Sequence, residues 1–129
     1  MMSTHAVPPA RWQEFLCSLG NHRLNQPVSI QVSGGELGSQ ALAEHLPLVG
    51  LSLEQKGSES GAIEVTLAGG SGPFTHLVLE PQSVWAQEDA AGRVHALDIE
   101  DKAKVKTLIF FEEPAREPSL ESPPTSEVD

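Results

Sequence analysis

The stretch that decides the fold reads IEVTLAGGSGPFTHLVLE over residues 63–80. Apolar and polar residues alternate on both sides of the central GGSG, and this period of two is typical of half-buried strands. Glycine supplies the positive φ angles that a tight connection between two strands needs. We therefore predict a β-hairpin at residues 63–80, and an antiparallel sheet becomes the starting point for the whole chain.

A phosphate-binding loop is the alternative interpretation of the glycines in AGGSGPF. Such a loop needs a lysine after the glycines and then a helix, whose amide N–H groups and dipole meet the phosphate. Here the glycines are followed by THLVLEP, which alternates like a strand and ends in a proline. The hairpin accounts for the same residues without a lysine or a helix, and we favour it.

A different period appears near the N-terminus. Four apolar residues recur at i, i+3, i+4 and i+7, the stripe of an amphipathic helix: Trp12, Phe15, Leu16 and Leu19. Pro8-Pro9 suits a first helical turn, and Gly20-Asn21 provides a left-handed stop. These signals predict one helix over residues 9–19.

Further runs of alternating apolar and polar residues fill the rest of the chain at spacings near ten residues. One of them contains enough alanine and glutamate that a helix is also possible there. The runs cover residues 28–32, 40–46 (the ambiguous one), 51–54, 63–67, 77–79, 84–87, 94–100 and 105–112. We predict an α+β fold, with one N-terminal amphipathic helix packed on a bent antiparallel sheet or small barrel of six to eight strands.

The ends of the chain differ in composition from the middle. The segment 113–129 is rich in Pro, Ser and Glu, and 112–129 holds six of the 18 acidic residues but one of the eight basic ones. Such a segment buries too little apolar surface to fold alone. We predict a disordered leader at 1–8, a single α+β domain at 9–112 and a disordered acidic tail at 113–129.

Composition also limits the classes of function. The chain has a formal net charge of −10, and its Lys and Arg residues are scattered, so we predict no binding to nucleic acid. No apolar run approaches the roughly 18 residues that span a bilayer, and MMSTHAVPPARW lacks the apolar core of a signal peptide. The single Cys17 fits a reducing compartment. We predict a cytoplasmic protein with no membrane association.

Several short motifs occur in an order that resembles a known family. They are W-x-x-F-L at Trp12, LPLVGL at residues 46–51, T-H-x-V-x-x-P from Thr75 to Pro81, L-x-I at Leu97 and a closing T-L-I-F strand. This pattern resembles a family of small bacterial proteins catalogued only as a domain of unknown function. The resemblance covers about residues 10–112 and implies domain limits and a bacterial origin, without an activity to carry over.

His76 is the most conspicuous polar residue of the hairpin. It shares a strand face with Glu80, but four residues of strand separate them by roughly 13 Å. The carboxylate therefore cannot orient the imidazole as a catalytic base, and no G-x-S-x-G elbow supplies a nucleophile. We favour a histidine on the outer or rim face of the sheet.

The remaining candidates are few. His95 alternates with Leu97 and Ile99, which predicts a partly buried, hydrogen-bonded histidine. If the sheet encloses a pocket, His76, Trp85 and His95 are the ligand-binding candidates. The five histidines and Cys17 show no H-x-x-x-H or C-x-x-C spacing, so we predict no metal, no cofactor and no catalytic residues.

Three hypotheses of function follow. The favoured one is a small accessory module that catalyses nothing and binds a protein partner, or a second copy of itself, through a sheet edge. The alternative is a small-molecule-binding barrel with His76, Trp85 and His95 in its pocket. The third is a hydrolase or isomerase with His76 as its base.

Overall fold

The computed structural model describes residues 2–35, 38–54 and 61–112. A 3-10 turn, Pro9–Arg11, leads into the helix α1, Trp12–His22. The strands are β1 (Ser3–Ala6), β2 (Pro27–Gly34), β3 (Gly38–Leu53), β4 (Ile63–Gly69), β5 (Gly72–Val78), β6 (Pro81–Glu88), β7 (Val94–Asp101) and β8 (Lys106–Phe111).

The eight strands form one antiparallel sheet in the order β1-β6-β7-β8-β2-β3-β4-β5. The order does not return to its start, so within the described residues the sheet is open, with β1 and β5 as its edges. With one helix packed on it, the molecule has the α+β architecture predicted from the sequence. Residues 40–46, whose composition also allowed a helix, belong to the strand β3.

The sheet bends along β3, which is 16 residues long. The first part of β3 pairs with β2 and the second part pairs with β4, so β3 passes from one half of the sheet to the other. The β2–β3 register shifts twice near Ile30, and His45 has a φ of 57°. Such bulges sharpen strand twist and bending. The bent sheet brings β5 near β8, where His76 Nε2 lies 3.3 Å from the hydroxyl oxygen of Thr107.

The helix α1 closes the inner side of this bent sheet. Leu16 is completely buried, and Trp12 donates its Nε1 hydrogen to the carbonyl oxygen of Val7 at 2.8 Å. The helix runs to His22 rather than ending at 19 as predicted. Gly20 does not stop it, because Gly20 is a packing residue: a Cβ there would lie 3.2 Å from the Leu51 side chain.

The β4–β5 connection is the predicted hairpin. Gly69 pairs with Gly72, which leaves a two-residue turn at Gly70-Ser71. Gly72 has a φ of 142°, a conformation that glycine adopts without strain. A strand rather than a helix follows the glycines, so the segment lacks the helix N-terminus on which a phosphate loop depends.

The predicted leader is wrong for the residues from Ser3 onward. The strand β1 pairs with β6 from Ser3 opposite Glu88 to Ala6 opposite Trp85, and the Val7 amide donates to the Val84 carbonyl at 2.8 Å. The polar sequence STHA gave no apolar alternation because β1 is an exposed edge strand held by its backbone. The tail predicted at 113–129 lies outside the described residues.

Candidate functional site

The three site residues predicted from the sequence do not come together in one pocket. His76 lies on the edge strand β5, which agrees with a position at the rim of the sheet. Its side chain does not point to the outer face, however, but faces inward like that of the buried Val78. Its Nε2 is 3.3 Å from the hydroxyl oxygen of Thr107, which is itself buried. Burial lowers the pKa of His76, because desolvation penalises the charged imidazolium.

Trp85 faces the opposite side of the sheet. It is 43% exposed, whereas its neighbours Val84 and Ala86 are buried. Since side chains alternate between the two faces of a strand, Trp85 points away from the core and from His76. It therefore lines no interior pocket.

His95 has a structural partner, as predicted. Its Nε2 lies 2.8 Å from Oδ2 of Asp89, in the turn between β6 and β7. The other oxygen of Asp89 accepts hydrogen bonds from the amides of Ala91 and Arg93 at 2.9 and 3.0 Å. The hydrogen bond from His95, followed by those from the backbone amides, lowers the pKa of Asp89 to about 2. The pair fixes the shape of this turn.

A cavity of about 430 Å³ lies between α1 and the β6–β7 turn. None of the three predicted site residues is among those that line it. One wall comes from the last residue of the 3-10 turn and one face of α1, at the spacing i, i+3, i+4, i+7, i+8 and i+11: Arg11, Glu14, Phe15, Ser18, Leu19 and His22. The opposite wall comes from the end of β6, the turn and the start of β7: Glu88, Gly92, Arg93 and Val94.

The cavity concentrates the basic side chains of an acidic chain. All three arginines in the described part of the chain line it, namely Arg11, Arg23 and Arg93. Arg23 is 4% exposed and donates to the side-chain oxygen of Gln26 and to the carbonyl of Val94. Its guanidinium carbon also lies 5.7 Å from the centre of the Phe111 ring. Arg23 thus ties the helix C-terminus to β7 and holds a positive charge beneath the cavity.

A second polar cluster, which no pattern in the sequence indicates, joins Ser29, His45 and Glu112. His45 Nδ1 lies 2.7 Å from Glu112 Oε1, and Ser29 donates to Glu112 Oε2 at 2.9 Å. Burial acts to raise the pKa of Glu112, but the hydrogen bonds from His45 and Ser29 outweigh it and lower the pKa.

The hydrogen bonds of this cluster do not activate Ser29 as a nucleophile. A catalytic serine donates its proton to the imidazole, whereas Ser29 donates to the carboxylate and accepts from the backbone amide of His45. The His45 side chain is 70% exposed on the sheet surface and is not among the residues that line the cavity. The contacts hold the bulged part of β3 against the end of β8, which is a structural role.

The described residues show neither the side-chain cluster of a metal site nor a helix that could cross a membrane. In the part of the chain that the structure describes, no three His, Cys, Asp or Glu side chains converge as a metal site requires. Across residues 2–35, 38–54 and 61–112, no helix combines the length and apolar character needed to cross a membrane.

The sequence alone indicates one of the two walls of the cavity. Arg11, Glu14, Ser18 and His22 follow the spacing of one helix face, so a polar stripe beside the apolar one is visible in the sequence. The other wall lies some 70 residues later, and only the folded chain brings Arg93 to the helix. The glycine-rich stretch at residues 69–72 is more conspicuous in the sequence, but it forms a hairpin turn rather than a binding loop.

Comparison with known proteins gives a family but no activity. The model of a family of unknown function, DUF5335, matches residues 3–120. An uncharacterized protein of Aquifex aeolicus (strain VF5) is 24% identical over 108 residues, which cover 84% of this chain and 91% of that protein. No solved structure matches the chain significantly. The match includes the whole of the predicted range 10–112 and extends beyond it at both ends: the chain belongs to the DUF5335 family of unknown function.

Proposed function

We propose that this chain is a non-catalytic accessory module of the bacterial cytoplasm that binds protein through the free edge of β5. A reducing compartment agrees with its single cysteine, and a bacterial origin agrees with its Aquifex relative. The proposal rests on one observation. The strand β5 is seven residues long and, among the residues that the structure describes, it pairs with β4 on one side only.

The register of the hairpin determines which backbone N–H and C=O groups of β5 point toward its free edge. In a two-residue hairpin the pair that closes the turn is hydrogen-bonded, and bonded pairs then alternate with non-bonded ones. Thr66 opposite Thr75 is therefore a non-bonded pair, which agrees with the 3.2 Å between their hydroxyl oxygens. The N–H and C=O groups of Thr75 and Leu77 consequently point away from β4, toward the free edge.

Pro73 falls at the next outward position, where a proline costs the sheet no hydrogen bond. It limits the free edge to two complete residues, Thr75 and Leu77. Two copies of β5 related by a two-fold axis would place Thr75 of each opposite Leu77 of the other, with four hydrogen bonds. Each contributes about 0.5–1.5 kcal/mol, whereas association costs about 4 kcal/mol or more. Self-pairing is therefore weak, and a partner with additional contacts binds more tightly.

The self-association of the full chain tests this edge, with a second copy as the partner of known identity. We expect sedimentation equilibrium to detect a dimer at concentrations in roughly the millimolar range. Thr75→Pro removes an outward N–H group without breaking the β4–β5 ladder, and it abolishes the dimer. Thr75→Ala loses the same hydroxyl but keeps the N–H group, and it dimerises like the natural chain.

Two results would refute the edge as the binding element. One is a chain that remains monomeric throughout the concentration series. The other is a dimer that persists unchanged in Thr75→Pro, since pairing through Thr75 cannot survive that substitution. Amide exchange of Ile63 and Val65, which lie in β4, reports whether each variant keeps the hairpin folded.

The two other hypotheses fare differently. A hydrolase or isomerase with His76 as its base has little physical support, because the imidazole faces inward against the Thr107 hydroxyl and its lowered pKa weakens it as a base. A small-molecule site does have support from the cavity beside α1. It is built from residues other than His76, Trp85 and His95.

A further inference from the structure

The cavity between α1 and the β6–β7 turn differs from the rest of the surface in charge. Three arginines line it against two carboxylates, Glu14 and Glu88, in a chain whose net charge is −10. The three lysines in the described part of the chain, Lys102, Lys104 and Lys106, are not among the residues that line it. An anion that enters this cavity therefore meets a lining in which arginines outnumber carboxylates, although the chain as a whole is acidic.

The type of cation matters as well as its sign. A guanidinium is a planar fork whose N–H groups match the two oxygens of a carboxylate or phosphate. Arg11 and Arg93 reach the cavity from opposite walls, one from the start of the helix and one from the turn. Arg23 adds a positive charge that is 4% exposed, and charges in such surroundings are screened less by water.

The remaining lining is apolar. Phe15 and Leu19 from the helix and Val94 from β7 supply carbon surface to the same cavity. Its volume of about 430 Å³ falls within the range of small-molecule pockets, roughly 300–1,000 Å³. A bare inorganic ion would leave most of this space and its apolar lining unused.

The rigidity of the turn supports a preformed site. Asp89 accepts two backbone amides, one of them from Arg93 itself, and its second oxygen bonds to His95. His22, on the facing wall, is held by the carbonyl of Ser18, 2.8 Å from its Nδ1. Walls that are ordered before binding lower the entropic cost of holding a ligand.

We propose that this cavity binds a small organic oxyanion, with its carboxylate or phosphate on the arginines and its apolar skeleton against Phe15, Leu19 and Val94. The site is independent of the edge strand in the proposed function and shares none of its residues. A carboxylate and a phosphate ester present the same oxyanion chemistry, and separate probes distinguish them.

Ligand-observed NMR on the full chain tests the site with benzoate and phenyl phosphate as probes. We expect saturable binding of at least one probe, and the one bound more tightly identifies the oxyanion. Benzyl alcohol, which lacks the charge, and inorganic phosphate, which lacks the apolar ring, bind at least about tenfold more weakly, since 1.4 kcal/mol corresponds to tenfold.

Three variants and a matched control assign the binding to these residues. Arg11→Gln and Arg93→Gln each weaken the tighter probe by about threefold to tenfold, the value of one partly exposed charged contact. Glu14→Gln removes a repelling carboxylate and strengthens binding by about twofold. Lys102→Gln, on the turn between β7 and β8, loses the same charge as the arginine variants and leaves the affinity unchanged.

The inference is overturned if neither probe binds saturably, or if benzyl alcohol binds as tightly as benzoate. It is also overturned if Lys102→Gln weakens binding as much as Arg93→Gln, because the effect would then be one of net charge. Arg11 and Arg93 are exposed, so their variants fold, and a circular dichroism melt checks this.

Discussion

Two turns of this protein share one geometry and differ in what is attached to it. In the β6–β7 turn, Asp89 Oδ1 accepts the amides of the residues two and four positions later. In the β7–β8 turn, Asp101 Oδ1 does the same, at 2.8 and 3.0 Å. Both turns also carry a backbone bond from the aspartate amide to the carbonyl four residues on. The shared part is a way to close a hairpin.

The two turns differ in the side-chain contacts that surround the aspartate. Asp89 also bonds to His95 and brings Arg93 to the cavity, whereas the fourth residue after Asp101 is Val105. The left-handed position is glycine in the first turn, Gly92, and lysine in the second, Lys104. A comparison of the two turns therefore separates what the fold needs from what the cavity adds.

The largest effect is expected at the left-handed positions. Gly92 has a φ of 86°, and Gly92→Ala lowers the free energy of unfolding by about 1–2 kcal/mol because a Cβ is strained there. Lys104 has a φ of 70°, and Lys104→Gly relieves strain and raises the free energy of unfolding by up to about 1 kcal/mol. Urea denaturation measures both, and equal signs at the two sites would contradict the shared geometry.

A smaller effect is expected from acid. The pKa of Asp89 is about 2 in the folded chain, below its ordinary 3.8, so the ionised form stabilises the fold above pH 3.8. That stabilisation is lost as the pH falls from 3.8 through 2. Asp89→Asn removes this pH dependence and has a flatter stability profile than the natural chain between pH 5 and 2.

Urea midpoints across this pH range provide the measurement. Asp101→Asn is the matched control, because it makes the same change in a turn whose sixth following residue is Thr107 rather than a histidine. If Asp89→Asn and the natural chain lose stability in parallel on acidification, the His95–Asp89 pair does not act as described.

The smallest effect is expected at the other candidate histidine. His76 has a hydroxyl partner instead of a carboxylate, and burial lowers its pKa below 6.5. The unfolded chain then takes up the proton first, so stability falls as the pH drops through 6.5 toward the lowered pKa. His76→Gln removes that loss, which is under about 1 kcal/mol since solvent screens the half-buried ring. Thermal melts at pH 7.5 and 5.5 measure it, and identical pH dependence in both chains would refute it.

The sequence predicts the elements whose stability comes from a local apolar pattern. The hairpin at residues 63–80, the helix and the antiparallel sheet all follow from periods of 2 and 3.6, and the motif order predicts the family. The edge strand β1 was missed because its four residues carry no such pattern and are held by backbone pairing with β6.

The errors at the candidate site have a common cause. Gly20 looked like a helix stop because its contact with Leu51, 31 residues away, cannot be seen locally. The cavity was missed because Arg11 and Arg93 come from distant segments. The sequence identified His95 and predicted its hydrogen bond, but its partner Asp89 follows from the shape of the turn in the folded chain.

The two turns also allow the most direct test of the proposed binding site, to which the β6–β7 turn contributes and the β7–β8 turn does not. An amide-resolved NMR titration of the full chain with phenyl phosphate and benzoate compares them in one sample. We predict saturable shifts at the amides of Gly92 and Arg93 and none at those of Lys104 and Val105. Equal shifts in both turns, or none in either, would contradict a binding site at the β6–β7 turn.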